Sequence, residues 1–351
     1  MPQASQQAFI TLHIKRIIAE TADTRSLILA HESGEEINYV AGQFLTFVFK
    51  KNNGEETRRN YSISSSPVLH EPLQITIKRI ANGEFSRKLI DAAKEGDVLT
   101  TIGASGFFTL PVDMGSYDQL VFFAAGSGIT PVFSLIKTVL YAYPSIQVVL
   151  IYSNHSVESA IFYQQLNNLQ KQFPDRVHIE FLFSNATSFL HKRLGIYLLE
   201  KLLYKYAYSP LQRQLFYLCG PFEYMRMITI VLKNSGVIAS HIRKEIFIIE
   251  KPHYKPEPPD KKPHTISLTI QQKEFSFVAQ YPDTILQSAK ALKIPLPYSC
   301  ESGQCGTCAA TCLSGKVWMS HNDVLTDEEI AKGRVLTCTG YAVGGDVTLI
   351  Y

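Results

Sequence analysis

The chain offers little to a membrane, a nucleic acid or an oxidising compartment. The apolar stretch most like a membrane span, Gln119–Ile136 ("QLVFFAAGSGITPVFSLI"), is broken by Gly-Ser-Gly and by Pro131. That pattern suits a buried strand, a turn and a helix start. The opening "MPQASQQAFITLHIKRI" has no apolar run of signal-peptide length. A net charge of +3, from 34 basic and 31 acidic residues, is too small to argue for nucleic acid or a lipid surface. Only six cysteines occur in 351 residues, five of them beyond residue 299, which is no secreted disulfide framework. No internal repeat is visible. These absences leave a cytoplasmic protein, with neither nucleic acid nor membrane as partner. Hydrophobic residues at 46% and charged residues at 19% exclude a disordered chain and allow two or three domains.

What is present falls into segments. Residues 1–114 hold short runs rich in β-branched and aromatic residues, among them "FITLHIKRI", "SLILAH", "GQFLTFVFK", "RNYSISS" and "LQITIKRI". Their close spacing predicts an antiparallel β-barrel, interrupted by one helical stretch, "FSRKLIDAAK". Residues 115–250 alternate continuous apolar strands with helical patterns: "QLVFFAAG", "TPVFSLIKTVLYAY", "IQVVLIYS", "ESAIFYQQLNNLQKQF", "VHIEFLFS", "LFYLCG" and "FEYMRMITIVLKNSG". That predicts an α/β domain with a parallel sheet covered on both faces. Residues 251–264, "KPHYKPEPPDKKPH", carry five prolines and read as an extended linker. Residues 265–351 begin with a hairpin, "TISLTIQQKEFSFVAQ", turning near Gln272-Lys273, and a short helix, "TILQSAKALK".

Three motifs carry chemistry. The first is Cys300-x4-Cys305-x2-Cys308 followed by Cys338, a spacing that suits the four thiolate ligands of a plant-type [2Fe–2S] cluster. Gly303 and Gly306 allow the loop to wrap tightly, and small residues let amides approach the sulfurs. Zinc is the rival, since Cys305-x2-Cys308 is half of a zinc motif. Zinc sites usually pair two such knuckles, whereas Cys300 and Cys338 stand alone. Cys312, four beyond Cys308 in a predicted strand, reads as a buried residue that binds nothing.

The second motif is Arg59-Asn60-Tyr61-Ser62, in which strand alternation puts Arg59 and Tyr61 on one face and Ser62 on the other. A cation beside a phenol suits a ligand with a phosphate and a flat ring, though an ordinary barrel strand reads the same way. Lys78 follows in "IKR". Gly83 and Ser86 in "GEFSRKL" open a helix whose N-terminal amides can meet an anion. The third is "AAGSGITP". Gly126 and Gly128 permit a sharp turn and close approach of a pyrophosphate, Thr130 can cap the helix, and Pro131 suits its first turn. Cys219-Gly220-Pro221 ends a later strand.

Together these motifs resemble the three-domain flavin/[2Fe–2S] oxygenase reductases of the ferredoxin–NADP reductase superfamily. The resemblance runs the whole chain in order. The tail "KVWMSHNDVLTDEEIAKGRVLTC" is most similar to that of phenylacetyl-CoA epoxidase reductase subunits. The C-terminal segment then resembles an α+β plant-type ferredoxin of β-grasp fold. The resemblance implies that Cys300, Cys305, Cys308 and Cys338 hold the cluster. It puts Arg59 on a flavin phosphate, Tyr61 against the isoalloxazine, Ser62 at its N5 edge, and Lys78, Gly83 and Ser86 around the rest of an FAD, with FMN used by a minority of such domains. Gly126, Gly128, Thr130, Pro131, Gly220 and Pro221 would bind the nicotinamide nucleotide, with Cys219 beside its ring and Glu245 and Phe247 near the flavin.

The donor is NADPH or NADH. The position after the second strand of this segment reads Ser153-Asn154-His155 without the acid of many NAD sites, and Lys192 or Arg193 could meet a 2′-phosphate, which favours NADPH. A nicotinamide gives two electrons as hydride, a plant-type cluster takes one, and a flavin converts between them. The implied enzyme is an NAD(P)H-dependent electron-transfer reductase serving a protein acceptor, an oxygenase component. A general ferredoxin or flavodoxin reductase, or a redox sensor without turnover, are the alternatives.

Overall fold

The computed structural model describes residues 9–51, 54–186, 192–247 and 256–351. The described residues form two units. One comprises Ile10–Ala104 with Phe108–Phe247; the other holds the chain from Pro256 onward together with Phe9 and Ser105–Phe107.

The first unit begins with six antiparallel strands, β1 (Ile10–Thr21), β2 (Thr24–His31), β3 (Phe44–Lys50), β4 (Glu56–Ser62), β5 (Gln74–Lys78) and β6 (Val98–Ser105), in the order β4-β3-β6-β1-β2-β5. An antiparallel bridge between Ile63, just past β4, and Ile75 of β5 joins the two outer strands and closes the barrel. Alternation drives it: Leu12, Ile14, Leu27, Leu29, Leu45, Phe47, Ile75 and Ile77 fill the interior. Helix α1 (Glu84–Asp91) adds Leu89 to that core.

The same unit continues into a five-stranded parallel sheet of order β11-β10-β7-β8-β9, built from β7 (Gln119–Ala125), β8 (Gln147–Asn154), β9 (Val177–Phe183), β10 (Gln214–Cys219) and β11 (Ile242–Glu245). Helices α2 (Ile129–Ala142), α3 (Tyr163–Gln172), α4 (Ile196–Lys205) and α5 (Phe222–Asn234) cover it. The unbroken apolar run of β7 has a simple cause. Leu120, Phe122 and Ala124 join one core with Val132 and Ile136 of α2, while Val121 and Phe123 join another with Leu199 of α4 and Ile228 of α5. Both faces are buried, so both sets of positions are apolar. The helix expected over residues 158–173 is shorter, because Phe162 takes a positive φ of 61° and Ala160, Ile161 and Phe162 enter the core ahead of the first helical turn. Helix α4 and strand β11 have no counterpart among the elements expected from the sequence.

In the second unit, β12 (His264–Ile270), β13 (Lys273–Ala279), β14 (Ala309–Ser314), β16 (Arg334–Leu336) and β18 (Val347–Ile350) form a mixed sheet of order β13-β12-β18-β14-β16. Its one parallel pair is β12 with β18. Helix α6 (Ile285–Ala291) packs on it through Ile285, Leu286 and Ala289. A small pair, β15 (Val317–Met319) with β17 (Gly340–Ala342), and the short α7 (Asp327–Ala331) complete the unit. A helix lying across a mixed sheet is the expected β-grasp arrangement.

The described part of the proline-rich segment is docked rather than a free spacer. Residues 251–255 lie outside the described residues, and from Pro256 the chain is fastened to the second unit. Asp260 accepts hydrogen bonds from Lys262 N (2.9 Å), Gly344 N (2.9 Å) and His264 Nε2 (2.8 Å), which hold its carboxyl down at about 2. Tyr281 donates to Glu257 at 3.0 Å, and His264 already begins β12. Prolines fix φ without preventing the intervening polar residues from docking.

Candidate active site and cysteine loop

The parallel sheet sets the first site. Its strand order reverses between β7 and β10, and in such sheets the crevice past the carboxyl ends of those strands is where ligands bind. Both glycine motifs end there, because Cys219 pairs with Ala124 across the two strands. A Cβ on Gly128 would lie 2.0 Å from the Cys219 carbonyl oxygen, so only glycine lets the two turns meet. Gly126 has φ +55°, and its carbonyl accepts from Tyr152 Oη at 3.1 Å. Gly220 packs on Ala125, where an added Cβ would be 3.0 Å from that residue's own.

Helix α2 starts in this crevice with no side-chain cap. Thr130 does not cap it, contrary to expectation; it sits inside the first turn and donates to Ser127 O at 2.8 Å, while the Ile129 amide donates back to Gly126 O. Pro131 lies in that turn, as expected.

Cys219 is fully buried, and burial together with the Glu245 carboxylate pushes its thiol well up. Glu245 pairs with Cys219 across β10 and β11, and burial pushes its carboxyl up to about 8. Both groups are therefore neutral near pH 7, which fits Cys219 for packing against a ring rather than for nucleophilic attack. Phe247, two residues beyond β11, is 41% exposed.

Strand β4 carries the second motif. In the register, Arg59 and Tyr61 lie opposite Phe47 and Leu45, while Asn60 and Ser62 lie opposite Thr46 and Phe44, so the two pairs take opposite faces. Arg59 is exposed and sits 5.6 Å over the ring of Phe85, which brings it to the start of α1. Burial pushes Tyr61 up to about 12 against the pull of Arg59. Ser62 is buried, and neither its hydroxyl nor that of Tyr61 has a hydrogen-bond partner among the described residues. The Tyr61 phenol beside the Arg59 cation on one face of β4 suits a ligand with a flat ring and a phosphate.

Gly83 caps α1. Ser86 is spent locally, donating to Gly83 O and accepting from Ile80 N, each at 3.2 Å, so the helix presents amides rather than that hydroxyl. Lys78 is paired with Asp23 at 3.6 Å.

A seam that sequence reading missed fixes β4 against the crevice. Ser134 of α2 donates to Ser65 O at 2.6 Å, and Ser66 and Thr138 hydroxyls meet at 2.8 Å. Buried Lys137 of α2 forms an ion pair with Glu71, which also accepts from Ser66 N at 2.7 Å. The serine run "SISSS" was the available signal: three small polar residues directly after a binding strand need partners once buried.

The cysteine loop is the third site. Cys300, Cys305, Cys308 and Cys338 are all buried. Cys300 interacts with Cys305 and Cys338, and Cys338 with Cys308. Contact with neighbouring sulfurs and burial push Cys305 and Cys338 up, while the same contacts favour Cys300 as thiolate. Four buried thiols in mutual contact cannot all ionise unless cations share them. Gly303 and Gly306 hold φ of +79° and +76°, and Glu301 also takes a positive φ of 56° while pairing with Lys290 at 2.9 Å. Ser302 N points at Cys300 Sγ from 3.5 Å. Among the described residues no three His, Cys, Asp or Glu side chains surround a single metal-ion position. The sulfurs instead contact one another in the order 305–300–338–308, a crowded set of four thiols of the kind that holds a two-iron cluster. Cys312 is half-buried, not buried as expected: it packs at the margin of the unit's core, and its Sγ meets Ser314 O at 3.3 Å.

Residues 10–110 match the oxidoreductase FAD-binding domain family, 122–229 the oxidoreductase NAD-binding domain family, and 268–343 the 2Fe-2S iron-sulfur cluster binding domain family. The ferredoxin reductase component of 3-ketosteroid-9-alpha-monooxygenase from Rhodococcus rhodochrous is 30% identical over 348 residues, 96% of this chain and 95% of that one. One of the subunits of 1,2-phenylacetyl-CoA epoxidase from Escherichia coli (strain K12) is 30% identical over 357 residues, covering 97% of each chain. The solved structure of phthalate dioxygenase reductase has the same fold over 98% of both chains, with a TM-score of 0.60 and 24% identity. The chain belongs to the three-domain FAD/[2Fe–2S] oxygenase-reductase family.

As an NAD(P)H-dependent oxidoreductase of that family, it uses FAD, a [2Fe–2S] cluster and a nicotinamide nucleotide. Each site fits its group: a phenol and a cation on one face of β4, glycine turns that allow close backbone approach at the β7–β10 crevice, and crowded thiols in the loop. At the outer end of β8, His155 Nδ1 meets Ser184 Oγ at 3.1 Å, and Arg193 is exposed. Residues 187–191, which precede Lys192 and Arg193, lie outside the described residues. No helix among those described is long and apolar enough to cross a membrane.

Proposed function

We propose that this chain is the reductase component of an oxygenase system, passing electrons from NADPH or NADH to a protein acceptor, the oxygenase component. The observation that carries the reading is the contacting quartet Cys300, Cys305, Cys308 and Cys338 in a chain that also holds the β4 and β7–β10 sites. When bound, flavin takes up hydride and releases electrons one at a time, and the cluster accepts them singly.

The residues divide the work. Arg59 binds the flavin phosphate by a charge-assisted hydrogen bond, Tyr61 covers the ring and Ser62 donates at its edge. Lys78, Gly83 and Ser86 shape the rest of the FAD site, with the α1 amides on the pyrophosphate. Gly126, Gly128, Thr130 and Pro131 form the turn that receives the nucleotide pyrophosphate, and Gly220 and Pro221 form the facing wall. Cys219 supports the nicotinamide, with Glu245 beneath it and Phe247 at the mouth. The Ser65–Ser134 and Glu71–Lys137 contacts hold the two binding sites at a fixed separation, as transfer between stacked rings demands. Cys300, Cys305, Cys308 and Cys338 hold the cluster.

The relatives' names point to different oxygenases, and their identities of 29–31% do not choose among them. The absence of an acid at Ser153-Asn154-His155 favours NADPH. A reduced cytoplasm keeps the thiols available, and we place the protein there.

The test is a visible spectrum of anaerobically purified protein with NADPH and NADH added separately. Flavin and cluster absorption that bleach, faster with NADPH, are expected. A flavin spectrum without cluster absorption after iron and sulfide reconstitution overturns the role of the four cysteines.

A further inference from the structure

Resting on that reading of the four cysteines, we infer that Tyr351 and Thr337 are positioning residues for the cluster, acting through the carbonyl of Cys308. Three of the four cysteines lie in one loop, and Cys338 arrives from a distant segment. Something must fix its distance from the others. The residue before it does so. Thr337 N reaches Cys308 O at 3.3 Å, and Thr337 Oγ1 donates to the same oxygen at 3.1 Å. With its one proton committed, Thr337 Oγ1 accepts from Tyr351 Oη at 2.8 Å. Tyr351 Oη is also 3.3 Å from Cys308 O, so its proton can serve either acceptor.

The anchors of this chain are rigid. Tyr351 N donates to Thr269 O of β12 at 3.0 Å, and its ring packs on the core of the unit. Thr337 is fully buried, and its carbonyl accepts from Leu286 N of α6 at 3.0 Å. A phenol held by the sheet and a threonine held by a helix thus converge on the peptide of one ligand while adjoining the next. Two consequences follow. The Cys308–Cys338 separation is set before iron arrives, and the donor dipoles point their positive ends at the Cys308 carbonyl, favouring extra negative charge nearby.

The experiment uses the full-length, cluster-loaded protein in four forms: unmodified, Tyr351→Phe, Thr337→Val and Thr337→Ser. Three quantities are read: cluster lifetime in excess chelator, its midpoint potential and its paramagnetic resonance spectrum when reduced. Tyr351→Phe and Thr337→Val are expected to shorten the lifetime about tenfold, to lower the potential and to shift the spectrum. Thr337→Ser keeps the hydroxyl and is expected to restore all three. If Thr337→Val does not load at all, Tyr351→Phe and Thr337→Ser decide. An unchanged potential and spectrum in Tyr351→Phe overturn the inference, even with a shorter lifetime, because packing alone then explains the loss. An unmodified protein that holds no cluster overturns the underlying reading and this one with it.

Discussion

Cys219 and the loop cysteines are the same side chain put to opposite uses. Cys219 sits at the end of a parallel strand with the Glu245 carboxyl beside it, and both surroundings keep its thiol neutral. The loop cysteines face one another, and their mutual contact makes a shared cation the only way to ionise them all. The glycines differ in the same way. Gly128 is required by distance, because a neighbouring carbonyl occupies the place of a side chain. Gly303 and Gly306 are required by handedness as well as space, because the loop winds through positive φ and an added Cβ would lie 2.7 Å from the His321 carbonyl oxygen and 2.5 Å from the Phe107 ring. A cysteine's role is thus decided by what stands within contact of its sulfur, and a glycine's by whether space alone or space and torsion together are scarce.

The contrast can be broken in order of severity. Cys338→Ser is expected to abolish cluster absorption while flavin absorption persists, and Cys219→Ser to leave the cluster spectrum intact. A cluster retained in the first, or lost in the second, erases the division between the two sites. Gly128→Ala should destabilise the first unit by about 3 kcal/mol, since backbone cannot yield 2.0 Å cheaply. Gly303→Ala should cost at least as much, about 3 kcal/mol or more and mainly in the second unit, because a left-handed torsion adds to a 2.7 Å approach to the His321 carbonyl oxygen. Calorimetric scans resolving the two units would show whether torsion adds to the cost of space. Arg59→Ala should weaken FAD binding roughly 10- to 100-fold, the worth of a hydrogen bond to a charged group, measured by flavin fluorescence on dilution.

The last prediction is a pH slope and concerns Glu245. Its carboxyl is raised from 4.5 to about 8 in the folded protein. Between those values the folded state binds a proton that the unfolded chain has lost. Folding stability therefore falls as pH rises through that window, by at most about tenfold in the equilibrium constant per pH unit. Glu245→Gln should flatten this dependence in denaturant titrations at pH 5, 6.5 and 8. An equal slope in the variant shows that Glu245 is hydrated rather than desolvated against Cys219.

The sequence made some of this legible and hid the rest for definable reasons. Strand alternation exposed the barrel, and continuous apolar runs exposed the parallel sheet, because burial on one face or two leaves a direct trace in residue order. The cysteine spacing was readable since three ligands share one loop. Thr130 was misread because a threonine near a helix start caps or turns according to a single residue of offset. The Ser65–Ser134 seam, Thr337 and Tyr351 were missed because each depends on a partner brought by tertiary folding. Pro256–His264 read as a spacer because composition records extension but not the docking of Asp260.

The placement of β18 between β12 and β14 bears on how the protein is made. In the ferredoxin-like sheet the middle strand is the last of the five to be synthesised. Cys308 and Ile350 are 42 positions apart. A ribosome adding about 5–20 residues per second delivers that strand roughly two to eight seconds after the cysteine loop. During that interval the loop exists with its sheet split in two, and Cys338 and Tyr351 are still to come. Cluster assembly on the nascent chain is therefore deferred until β18 has emerged to close the sheet beside the loop, and deleting β18 would strike the metal site before any other.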